Sequence, residues 1–241
     1  MSVSVAESYR QCRQIARQTA KNFYYSFLLM PPEKRAAMCA IYAFMRRSDD
    51  IADDAPDPAT ALAGLRDWRG LLDRALASQP VEEPTLPALA DTVERYRINP
   101  KHIHDLLTGT ELDQSKVRYE TFEELYRYCY HVASCVGLVV LPVFGYEDQQ
   151  AERCGEACGI AFQLTNIIRD VREDAGMGRI YLPLEDLNRF GVSEEEIMNR
   201  TSSTRFRDLM QFQAERARRY YAEAAPLVDL IHRDKIGRAH V

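Results

Sequence analysis

Apolar residues recur along most of the chain at helical spacing, with no run of alternating strands and Gly-rich turns, so the pattern predicts an all-α protein. Predicted helices cover residues 4–21, 32–54, 59–78, 87–96, 100–114, 121–144, 147–175 and 204–233. A shorter one runs from Leu184 to Phe190, and another opens at Ser193, whose Glu196 completes a capping-box pattern. Prolines punctuate the rest. "NFYYSFLLMPP" (22–32) reads as an apolar break, with Pro32 and Glu33 suited to the first turn of the next helix. "APDP" stops that helix, and the Pro-rich stretch at 78–90 is short enough to join helices rather than domains. A single domain over 1–234 is expected, and the tail "KIGRAHV" (235–241) is read as non-native and set aside.

Composition narrows the function classes. Net charge is −5, so nothing global favours nucleic acid or an anionic membrane, and an anionic ligand would need a local offset. Six cysteines are scattered without a secretory signal before them, which points to a reduced, cytoplasmic setting with buried thiols. The apolar stretch at 132–146 is too short to span a bilayer and carries Pro142, so it reads as a core helix. His102 and His104 stand two apart on a helix and do not share a face, which argues against a metal site.

The acids are less ordinary. "RRSDDIADD" (46–54) gathers four aspartates at a helix C-terminus, where the helix dipole disfavours them. At about 100° per residue, Tyr42, Arg46, Asp49 and Asp53 fall within roughly 60° of one another. Ala37, Ile41, Phe44, Ser48 and Ile51 form the opposite, mostly apolar side. The arrangement repeats in "FQLTNIIRDVREDAGMGRIYLP": Gln163, Asp170 and Asp174 align, Asn166 lies at the edge of the stripe, and a Gly follows. One acidic pair is most simply a solvated surface; two matched D-x-x-x-D pairs on otherwise apolar helices imply a cation. Oxygen-only ligands suit Mg²⁺ with a diphosphate, and Arg46, Arg47, Arg169 and Arg172 stand ready to contact phosphate.

With "YAFMRRSDDIADD", "RYETFEELYRYCYHVASCVG" and "FQLTNIIRDVREDAGMGRIYLPLEDL", the chain resembles the squalene/phytoene synthase family over most of its length. The resemblance implies an isoprenoid-synthase fold, helices around a central cavity, with further helices beyond the C-terminus and poor activity expected without them. It implies Mg²⁺-dependent head-to-head joining of two prenyl diphosphates. Asp49, Asp53, Asp170 and Asp174 match the two aspartate motifs, with Asn166 counted among the metal ligands. Arg46 matches a diphosphate-contacting arginine, Gln163 and Asn166 match polar residues lining the cavity, and Tyr128 matches a tyrosine near the reacting carbons. Tyr42 and Arg169 join the substrate-binding set. Phe23, Tyr24, Phe27, Leu138, Val139 and Phe162 are candidate apolar lining, with plain core packing as the alternative. The family's usual VAG reads VAS at 132–134.

Among products, the N-terminal stretch leans toward presqualene diphosphate or squalene from farnesyl diphosphate, with NADPH needed if squalene is made. Phytoene from geranylgeranyl diphosphate is the close alternative. A terpene cyclase and a non-catalytic assembly subunit share the fold, but the intact acid pairs speak against both. The greasy substrates make contact with the inner membrane surface an expectation; the sequence is silent on oligomeric state.

Overall fold

The computed structural model describes residues 3–20, 22–115 and 117–232, which leaves the tail at 235–241 outside the described residues. The elements are α1 (Val5–Thr19), α2 (Asn22–Leu28), α3 (Pro32–Asp53), α4 (Pro58–Leu76), α5 (Leu86–Tyr96), α6 (Pro100–Asp113) and α7 (Phe122–Cys129). A π turn (Tyr130–Ser134) leads into α8 (Cys135–Phe144), followed by α9 (Gln150–Gly176), α10 (Leu184–Phe190), α11 (Glu194–Met198), α12 (Thr204–Ala224) and α13 (Leu227–Leu230). Among the described residues the only β-type pairing is an isolated bridge between Tyr146 and Ile231.

Two apolar cores result. One gathers the inner faces of α1, α3, α4, α5, α6 and α8 around Phe44, Trp68, Leu89 and Leu107. The other joins α7, α9 and α12 with the segment at 180–182, around Tyr119, Leu125, Ile160 and Leu187. The apolar side expected for α3 packs inward, with Ala37, Ile41, Phe44 and Ser48 buried. Ser48 is a polar group in that core with both bonds made: its Oγ donates to the Phe44 carbonyl at 3.0 Å and accepts from Trp68 Nε1 at 3.0 Å.

The stretch at 22–32 differs from expectation: Asn22–Leu28 is helical. Its end is capped from α3, where the Arg35 guanidinium donates to the carbonyls of Phe27, Leu28 and Met30 at 3.0–3.2 Å. A tertiary contact thus satisfies carbonyls that no local residue could.

The segment Phe122–Phe144 is long and apolar enough to cross a membrane, yet it packs as a core element against α6 and α9. Its π turn is wedged between two glycines. A Cβ on Gly109 of α6 would lie 2.7 Å from the His131 carbonyl oxygen, and one on Gly159 of α9 would lie 2.4 Å from Ser134 Cα. Ser134, the departure noted in the sequence, donates its hydroxyl to the Glu156 carbonyl at 2.7 Å.

Candidate active site

Both acid pairs sit where the sequence puts them, in the last turns of α3 and α9, and neither helix has a basic residue in that turn. Asp49 and Asp53 line a cleft of about 270 Å³ together with Thr110, Asp113, Gln114, Tyr128, Arg179 and Tyr181. Asp49 opens onto this cleft, but the surrounding protein pushes its carboxyl up to about 6. Burial is the main cause; the charges of Asp53, Asp50 and Asp113 add to it, and Arg46 pulls the other way. A larger recess of about 790 Å³ lies among α1, α5 and the loop before α5, and it holds neither acid pair.

Asp113 and Arg179 were not singled out from the sequence. Asp113 ends α6, a third acid in a last turn without a base, so the same local signal marks it. Tyr128, buried in α7, donates its hydroxyl to Asp113 Oδ1 at 2.7 Å. Burial raises the Asp113 carboxyl and, with the neighbouring Asp113 charge, carries the Tyr128 phenol far above its ordinary range. The Tyr128 ring stacks on Tyr181 at 5.3 Å, and Tyr119 completes the aromatic group.

Arg179 is placed by the turn that ends α9. Gly178 takes a positive φ of 75°, which lets the Arg179 N–H return to the Asp174 carbonyl at 2.8 Å. The Arg179 side chain reaches Asp113, donating to its carbonyl at 3.4 Å. Its charge acts on both Asp113 and Asp174, so it links the α9 acids to the α3 cleft. Asp174 is half-buried and its carboxyl is raised, first by burial and then by Asp170.

The remaining candidates spread along α3 and α9. Arg46 pairs with Asp50 Oδ1 at 2.5 Å, and its enclosed Nε has no partner. Tyr42 lies one turn earlier, edge-on to Phe27 at 6.5 Å. Asp170 is held by its neighbour Arg169 through bonds of 2.7 and 2.6 Å, which lower its carboxyl below the usual range. Asn166 donates to Gln163 Oε1 at 3.3 Å, so this pair does share the α9 stripe. Asp170, Asn166, Gln163 and Arg169 are not among the residues lining the 270 Å³ cleft. Leu138 and Val139 are core residues, whereas Phe162 is 57% exposed and packs edge-on against Tyr221. The Phe23 side chain lies outside the described residues.

Residues 16–240 match the family model described as squalene/phytoene synthase. The chain is 41% identical over 243 residues to a 15-cis-phytoene synthase of Synechocystis sp., spanning 96% of this chain and 72% of that protein. It is 42% identical over 233 residues to the one of Synechococcus elongatus, spanning 92% and 75%. Among solved structures it superposes on squalene synthase HpnC from Alicyclobacillus acidocaldarius with a TM-score of 0.87 at 30% identity, covering 95% and 86% of the two chains. A dehydrosqualene synthase gives 0.82 at 33% identity, covering 95% and 80%. The chain therefore belongs to the squalene/phytoene synthase family and is a prenyltransferase of the head-to-head type.

Proposed function

We propose that the chain joins two molecules of geranylgeranyl diphosphate head to head and carries the product on to phytoene. The observation that carries this choice is relatedness: the phytoene synthases are 41–42% identical to the chain, against 30% and 33% for the squalene and dehydrosqualene synthase structures. It displaces the lean toward the farnesyl substrate drawn from the N-terminal stretch.

The acid pairs fit a hard divalent cation. Their donors are all oxygen, the final turns of α3 and α9 carry no basic residue, and burial, with neighbouring carboxylates behind it, raises Asp49 and Asp174. We assign Mg²⁺ to Asp49, Asp53, Asp170 and Asp174, with Asn166 at the edge. Bound there, Mg²⁺ supplies neutralisation of the leaving diphosphate. Arg46, Arg169 and Arg179 hold diphosphate oxygens as the allylic C–O bond ionises. Gln163 and Tyr42 orient the substrate beside them. The Tyr128 hydroxyl, fixed by Asp113, is the ordered polar group on an otherwise aromatic wall that excludes water from the carbocation. The second substrate's double bond attacks the cation, proton loss closes a cyclopropane, and a second ionisation with rearrangement ends in another proton loss. That ending needs no hydride donor, so NADPH is not required for phytoene.

The test is incubation of the purified enzyme with Mg²⁺ and either geranylgeranyl or farnesyl diphosphate, with and without NADPH. Phytoene formed from the longer substrate, independent of NADPH, is the expected result. A preference for farnesyl diphosphate with NADPH-dependent squalene would establish the second reading, which the 0.87 superposition on a squalene synthase favours.

A further inference from the structure

The two histidines dismissed as a pair in the sequence belong to different surroundings. His104 turns to Asp73 at 3.4 Å, whereas His102 stands 3.9 Å from Asp105 Oδ2. Asp105 meets two residues of the segment packed against α6. His131 lies in the π turn and Cys135 opens α8, and a ligand atom from each of Asp105, His131 and Cys135 lies within 4.8 Å of the other two.

The two oxygens of Asp105 are used unequally. Oδ2 accepts from Lys101 Nζ at 2.5 Å and from the Tyr130 hydroxyl at 3.2 Å. Oδ1 faces His131 Nδ1 at 4.0 Å, too far for a hydrogen bond. His131 Nδ1 is enclosed by protein and has no hydrogen-bond partner. An imidazole, a carboxylate and a fully buried thiol, which also meets the Tyr130 hydroxyl, thus lie close together around an unpartnered nitrogen. A buried polar atom left unpaired calls for an ion or a water.

We propose that Asp105, His131 and Cys135 form a second cation site, of the zinc class and separate from the aspartate-lined cleft. The donor set decides the class: imidazole and thiolate favour Zn²⁺, where an all-oxygen set favours Mg²⁺. A tetrahedral zinc ion sets its ligand atoms about 3.3–3.8 Å apart, so spacings of up to 4.8 Å need to contract by at most about 1.5 Å. Water takes the fourth position. On binding, the Cys135 S–H bond breaks, a sulfur–metal bond forms, and the proton leaves to solvent. The ion would pin α6 to the π turn at the place where Gly109 admits the His131 carbonyl. His131 also lines a recess of about 100 Å³ with Asp49 and Asp113, so the clamp would brace the wall behind the acid cleft.

The experiment uses purified chain stripped of metal, held in excess Mg²⁺ to fill the oxygen sites, and titrated with Co²⁺. The expected result is a single equivalent of Co²⁺ with a thiolate-to-cobalt charge-transfer band and tetrahedral d–d bands, displaced by Zn²⁺, with proton release. Cys135→Ser abolishes the charge-transfer band. Asp105→Asn, which keeps the thiol and the side-chain shape, weakens Co²⁺ binding at least about tenfold. Cys158→Ser and Asp49→Asn leave the band unchanged. Absence of the band in the unaltered chain, or its survival in Cys135→Ser, overturns the site. Should Cys135→Ser fail to fold, undiminished Co²⁺ affinity in Asp105→Asn overturns it equally.

Discussion

The Tyr128 hydroxyl donates to Asp113 Oδ1 across 2.7 Å, joining α7 to the last residue of α6 at the edge of the acid cleft. Both groups are shielded from solvent; burial raises both, the donated hydroxyl eases charging of Asp113, and the Asp113 charge makes ionising the phenol still harder, so the proton stays on the phenol. Tyr128→Phe removes the donor and leaves the carboxylate unpaired. Hydrogen bonds to charged groups are worth about 1.5–3 kcal/mol, so turnover should fall by about 10- to 100-fold while the far-ultraviolet circular dichroism is retained. Steady-state kinetics beside that spectrum checks it.

Asp49 gives a pH dependence of stability. Its folded carboxyl sits at about 6, above the ordinary aspartate value, so between those values the folded state binds more protons than the unfolded one. Stability from this group is therefore greatest below about pH 4, falls as pH rises to about 6, and stays low above. Without metal, Asp49→Asn should stabilise the protein at pH 7 by on the order of 1 kcal/mol, allowing for solvent access to the group. The gain should vanish below about pH 4. Thermal melts of metal-free protein across this range measure it; added Mg²⁺ should raise the unaltered protein's melting temperature more than the variant's.

Arg179 joins the α9 acids to the α3 cleft. Arg179→Gln keeps a polar group of similar reach but removes the charge. KM for the prenyl diphosphate should rise by about tenfold or more, the scale of a lost charge-assisted contact. Substrate titration at saturating Mg²⁺ reads this directly, and an unchanged KM would refute a diphosphate role.

Asp186 and Arg216 form a buried pair between α10 and α12, with Arg216 Nη1 at 2.5 Å from Asp186 Oδ2 and Gln213 donating to the same oxygen at 2.9 Å. Arg216 also lies 4.0 Å over the Phe122 ring. Asp186→Ala strands the guanidinium and should cost about 3–5 kcal/mol. Asp186→Ala with Arg216→Met should recover part of that loss. Urea denaturation of the two variants compares them.

Gly159→Ala would place its methyl against the Ser134 backbone, which cannot swing aside as a flexible side chain can. A loss of about 1–3 kcal/mol follows, or roughly 2–4 °C of melting temperature for each kcal/mol. Gly70→Ala, where nothing lies within 4 Å, should instead leave stability unchanged or slightly raised.

Local signals carried most of the architecture. The α3 stripe, the Ser193–Glu196 capping box and the bounds of α10 are written in residues a few positions apart, and they appear where expected. α2 was missed because its carbonyls are capped by Arg35 from the following helix. The acid pairs were legible as repeated helix-end clusters, but the bond between Tyr128 and Asp113 and the reach of Arg179 to Asp113 span turns that no periodicity encodes. The grouping of Asp105 with His131 and Cys135 depends on the π turn, whose extra residue has no mark in composition.

That turn also sets how one long helix serves two interiors. Before it, Leu125, Tyr128 and Cys129 belong to the α9–α12 core; after it, Cys135, Val139 and Val143 belong to the α3 core. A π turn carries one residue more than an α turn, which rotates everything downstream by about 100°. Adding a further residue within 130–134 would leave a chain just as helical and just as apolar, but keyed to the wrong lock at one end. Through this segment the number of residues is itself information, independent of which residues they are.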